Sequence, residues 1–91
     1  MFNRQHKELV MQYHTEHLRT CRRTIGANLK NIRLSKNLSL EEFSEQSGMN
    51  LVHIHKLEKG KTAPTVETLF RLACSLDISL ERLFKGTGPF A

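Results

Sequence analysis

Apolar side chains recur along this chain at helical spacings, and short clusters containing Gly, Asn or Pro interrupt them. Ile25, Leu29 and Ile32 form one stripe of a helix over residues 25–36, with Thr24 available as N-cap and Asn37 able to close it in a left-handed conformation. Ser39 and Glu42 have the spacing of a capping box, which predicts a second helix from about Leu40 to Ser47, stopped by Gly48. Asn50 caps a third over 51–59, with Ile54 and Leu57 facing inward, Lys56 and Lys59 outward, and Gly60 as its stop. Pro64 and Thr65 open a fourth, whose stripe is Val66, Leu69, Phe70, Leu72 and Ala73. After a turn at Asp77, Ser79 caps a short fifth helix carrying Leu80, Leu83 and Phe84, which Gly86, Gly88 and Pro89 forbid from continuing.

Only Leu51–Ile54 has even a trace of strand character, so the fold class is all-α. Ahead of the compact unit at 24–86, residues 1–23 lack Gly and Pro beyond the start, and Met11, Leu18 and Ile25 recur every seven residues beside Leu9, Val10 and Tyr13. This predicts a helical extension that packs on the domain, contacts a dimer mate, or lies along a polyanion through Arg19, Arg22 and Arg23. Residues 87–91 form a short tail. With 91 residues, of which 38% are hydrophobic, the chain has material for one core.

Charge sharpens the picture. The chain carries a net +5, and the excess sits in residues 1–36, with eight basic and two acidic residues, against six and seven in residues 37–91. Such a balance favours a polyanionic partner without identifying it. No run approaches the length of a membrane span and the first ten residues are too polar for a secretory signal, so a soluble cytoplasmic protein is expected. Cys21 and Cys74 lie in no CxxC pair and are expected to be reduced, small and buried.

A helix, a turn containing Gly48, a second helix and two supporting helices make the arrangement by which one helix enters the DNA major groove while another braces it. The residues Ile25-Gly26, Leu29, Ile32-Arg33, Leu38-Ser39, Glu41-Glu42-Phe43, Gly48-Met49, Ile54, Leu57-Glu58-Lys59-Gly60, Pro64, Glu67-Thr68-Leu69, Leu76 and Ile78-Ser79 resemble the Xre/Cro-type, lambda-repressor-like helix-turn-helix regulators over about residues 24–86. The resemblance implies five helices, binding of operator DNA as a dimer, and Asn50–Lys59 as the recognition helix.

Carried over by position, the base-contacting side chains are Leu51, Val52 and Lys56, the first two suited to thymine methyls and the lysine to guanine. Asn50, Lys59, Lys61 and Arg33 are the implied phosphate contacts, and Arg33 with Glu58 the implied salt bridge that orients the recognition helix. Leu40 stands where similar proteins often place a phosphate-gripping Gln, which removes one contact.

The function expected is that of a sequence-specific regulator of double-stranded DNA, most simply a homodimeric repressor, with no evident effector module after Gly88. The competing expectation is a protein-interaction or antitoxin-like partner-binding module on the same scaffold, since Leu40, Leu51 and Val52 occupy usually polar positions. No enzyme is expected. His14 and His17 lack an arranged third ligand for a metal, and Gly86-Thr87-Gly88 lacks the helix and lysine of a phosphate loop. His53 and His55 diverge by about 200° on their helix and are expected to be ordinary surface histidines, the alternative being tighter DNA binding at low pH beside phosphates. No cofactor is expected.

Overall fold

The computed structural model describes residues 4–87, with the side chains of residues 4–6 and 9–13 outside that description. Four α-helices, α1 (Arg4–Ser35), α2 (Leu40–Ser47), α3 (Leu51–Glu58) and α4 (Val66–Leu76), are followed by a 3₁₀ turn at Leu80–Phe84. Among the described residues there is no strand.

The largest departure from expectation is α1. Extension and first helix form one continuous element of 32 residues, so Thr24 lies mid-helix and caps nothing. Without Gly or Pro ahead of Thr24 nothing obliges the helix to break there, and a hydroxyl residue within a helix costs only a fraction of a kcal/mol, roughly 0.5. The fifth helix is likewise a single 3₁₀ stretch, and Ser79 makes no side-chain cap bond.

The remaining boundaries follow the capping chemistry. Asn37 closes α1 at φ 57°. Ser39 accepts from the Glu42 amide while the Glu42 carboxylate takes the Ser39 amide, completing the capping box. Hydrogen bonding of the Glu42 carboxyl to the Ser39 amide, and next to the Ser39 hydroxyl, holds it below its ordinary pKa. Gly48 ends α2 at φ 72°, where any side chain would be strained. Thr65 caps α4 through the Thr68 amide, and Asp77 ends it in the left-handed region at φ 56°.

Leu29, Ile32, Phe43, Ile54, Leu57, Leu69, Leu72, Ala73, Leu76 and Leu83 form one core, with Ile25, Leu38, Leu40, Met49, Ile78, Leu80 and Phe84 packed around it. Two expectations fail at its edge. Val66 and Phe70 stand 68% and 57% exposed on α4, because Leu69, Leu72, Ala73 and Leu76 already fill the inward sector. Cys74 is exposed and Cys21 half-buried, both as free thiols, and Cys21 Sγ donates to the Thr87 carbonyl at 3.4 Å.

The expected dimer seam also loses a member, since Ile25 packs on the domain's own core. Leu18 is 55% exposed, and Leu9, Val10, Met11 and Tyr13 have side chains outside the described set. Gly88 and Pro89 lie outside the described residues as well.

Candidate nucleic-acid interface

Helix α3 is fixed at both ends and along its inner edge. At its start, Asn50 Oδ1 accepts from the Val52 amide at 2.8 Å and the His53 amide at 3.2 Å. The turn before it is held by Ser44 Oγ donating to the Met49 carbonyl at 2.6 Å and by the Gly48 amide donating to the Ser44 carbonyl at 2.9 Å. At its end the Lys61 amide donates to the Lys56 carbonyl at 3.0 Å, with Gly60 at φ 70° making the reversal. Ile54 and Leu57 anchor the inner face in the core.

The strongest tie is the ion pair joining α1 to the C-terminal end of α3. Arg33 Nε donates to Glu58 Oε2 at 2.7 Å and Nη2 to Oε1 at 3.0 Å, a bidentate fork with only 6% of Arg33 and 8% of Glu58 exposed. Nη1 donates to the Leu38 carbonyl at 2.7 Å, so the same guanidinium also secures the approach to α2. Hydrogen bonding to Glu58 raises the Arg33 pKa above its ordinary value against the opposing pull of burial, with the charges of Glu58 and Glu41 adding to the rise. The two side chains expected to pair do so, joining α1 to the last turn of α3. Arg33 has its Nε, Nη1 and Nη2 each bonded within the domain while it lines the cleft between α1 and α3.

Two glycines, each quoted only as part of a pattern, let α1 come this close. A Cβ on Gly26 would collide with the Leu57 carbonyl and lie 2.6 Å from the Glu58 carbonyl oxygen, so α1 rests directly on the last turn of α3. A Cβ on Gly60 would lie 2.8 Å from the Arg23 Cα. The signal was present in the sequence, since Gly26 costs a helix about 1 kcal/mol relative to Ala and requires a packing reason.

With the inner face anchored, the outer face carries the expected readers. Val52 is 56% exposed, Lys56 is exposed one turn further along the same face, and Leu51 is half-buried. Asn50, Lys59 and Lys61 are exposed around the ends of α3. Leu40 is half-buried and packs against the core.

Two further basic side chains lie beside the expected site residues. Lys30 from α1 and His55 from α3 line, with Arg33, Leu40, Glu58 and Lys59, a cleft of about 110 Å³. Helical spacing points to both, since Lys30 lies three residues before Arg33 and His55 three before Glu58. A second cleft of about 180 Å³ lies between α1 and the 3₁₀ turn, lined by Asn28, Asn31, Ile32, Arg82 and Lys85. There Asn28 donates to the Leu83 and Lys85 carbonyls, both at 2.9 Å, tying the chain's end to α1. Among the described residues no group of three or more His, Cys, Asp or Glu is placed to hold a metal ion, and no helix is long and apolar enough to cross a membrane.

The family model HTH_3, described as helix-turn-helix, matches residues 29–83. The chain belongs to this family of DNA-binding transcriptional regulators. It is 38% identical over 58 residues, covering 64% of this chain and 75% of the relative, to an uncharacterised HTH-type transcriptional regulator, y4dJ, of Sinorhizobium fredii. The restriction-modification controller protein C.AhdI from Aeromonas hydrophila superposes with a TM-score of 0.66 at 29% identity, over 68% of this chain and 94% of that one. The DNA-binding domain of BldD gives 0.68 at 30% identity, over 71% and 94%. All three likenesses leave part of this chain uncovered, and the HTH_3 match begins inside α1, six residues before its end.

Proposed function

We propose that this protein is a sequence-specific repressor that binds double-stranded DNA as a homodimer and reads the major groove with α3. The observation that carries the reading is the pinning of α3 by the buried Arg33–Glu58 fork, which leaves Val52 and Lys56 on its outer face. A reading helix must keep its orientation while its outer side chains meet base edges, and a buried bidentate pair between helices supplies that constraint. Lys56 donates to guanine O6 or N7, while Val52 and Leu51 contact thymine methyls. Lys59, Lys61 and the Asn50 amide nitrogen meet the flanking phosphates.

So few base contacts per domain carry limited discrimination, and a two-fold pair of domains on a palindromic site doubles it. Occupancy of such a site overlapping a promoter suffices for repression. The half-burial of Leu40 and Leu51 weighs against the competing reading as a protein-interaction module, since of the three only Val52 is an exposed apolar side chain.

The test is selection of bound duplexes from a random library by the purified protein at near-physiological salt, with Lys56→Ala in parallel. An enriched palindrome whose preference relaxes at one position per half-site in the variant is the expected outcome. A wild-type protein that enriches nothing overturns the reading in favour of partner binding.

A further inference from the structure

The cleft at the junction of α1 and α3 has a composition that the reading surface alone does not explain. Lys30 enters from α1, His55 and Lys59 from α3, all three exposed, and its floor is formed by the Arg33–Glu58 fork and Leu40. The acidic groups near it are accounted for. Glu58 gives both oxygens to Arg33, and Glu41, in the first turn of α2, lies close enough to Arg33 to favour its charge. Leu40 is the one α2 residue lining the cleft and carries no charge. The charged groups that line the cleft with His55 are therefore Lys30 and Arg33 from α1 and Glu58 and Lys59 from α3, with Glu41 of α2 acting on Arg33.

Position matters as much as charge. His55 lies about 100° around α3 from Lys56 and about 60° from Val52, on the flank turned toward α1. When the Val52–Lys56 face enters a major groove, this flank faces a bordering sugar-phosphate strand rather than base edges. His53 lies about 200° from His55, on the opposite flank.

We propose that this cleft is a seat for a DNA phosphodiester, gripped by Lys30, Lys59 and protonated His55, and that His55 makes the protein's DNA affinity rise as pH falls. The inference rests on the DNA-binding reading above and adds to it two contacts and a regulatory input. An imidazole changes charge between about pH 5 and pH 8. A phosphate bound beside it compensates the added positive charge, so protonation and binding favour each other. The contribution is present at the acid end of that window and lost as pH rises through it. Because the phosphate is common to every sequence, the effect is independent of base sequence.

The experiment measures binding of the full chain to a fluorescent random-sequence duplex about two helical turns long, at low salt, between about pH 8 and about pH 6. Wild-type affinity is expected to rise about three- to tenfold across that range. His55→Gln is expected to flatten most of the rise and His53→Gln to preserve it. His55→Lys should bind at the alkaline end about as tightly as the wild type does at the acid end. Lys30→Gln should lower the salt slope by about one, with circular dichroism confirming that each variant is folded.

A wild-type affinity independent of pH, a rise that survives His55→Gln, or one that disappears with His53→Gln overturns the phosphate seat while leaving DNA binding intact. Failure of the wild-type protein to bind any duplex overturns both readings together.

Discussion

Glu58 illustrates how one side chain is tied at once to stability and to recognition. Its carboxylate meets the buried Arg33 guanidinium in a two-bond fork, so truncation leaves a cation inside the domain with little water to replace its partner. Glu58→Ala is expected to destabilise the domain by about 3–5 kcal/mol, read as a lower urea midpoint. The double variant Arg33→Met with Glu58→Leu removes both charges and should recover most of that loss, because desolvating the pair consumes much of what the pair contributes. A double variant no more stable than Glu58→Ala would show that α3 depends on the ion pair itself and not merely on avoiding an orphaned charge. Exposed Lys56 carries no such burden, and its replacement should alter base preference while leaving the midpoint within about 0.5 kcal/mol of wild type.

At the scale of elements, the contact between α1 and the end of α3 decides the architecture. Gly26→Ala improves intrinsic helix propensity by about 1 kcal/mol, yet its methyl would press on backbone carbonyls of Leu57 and Glu58, which cannot swing away as a side chain would. A net loss of about 1–3 kcal/mol is expected by thermal or urea unfolding, together with weaker DNA binding as α3 is displaced. A stabilised variant would mean that α1 is not seated there.

The same contact shows which parts of the fold were legible. Ser39, Gly48, Asn50, Thr65 and Asp77 act within their own few residues, and each does in the structure what its local chemistry predicts. Thr24 misled because a cap matters only where a helix begins, and nothing upstream stops this one. Val66 and Phe70 misled because their spacing fits an apolar stripe whose width only tertiary packing sets. Lys30 became a site candidate only through the cleft, which exists because two distant segments meet across Gly26, and the cleft is what separates His55 from His53.

For the whole molecule, the uneven distribution of burial implies unequal roles for the two halves of α1. The principal extents are 51 × 24 × 18 Å, and a helix of 32 residues accounts for nearly all of the longest. Among the described residues none ahead of Gly26 is buried, whereas Leu29, Ile32 and Arg33 lie inside the domain. Among the described residues the fully buried part of α1 therefore starts at Gly26. Removing residues 1–22 should lower helical circular dichroism by nearly the whole contribution of their turns. The urea midpoint should shift by only about 1 kcal/mol or less, because none of the described residues removed is buried. The denaturant slope should barely change, since it follows the surface exposed by unfolding and the core is untouched. A collapse of the midpoint would place the early part of α1 within the folding unit. If the midpoint holds but the dimer dissociates, those turns are the dimer contact; if both hold, the two-fold pairing is made by the domain itself.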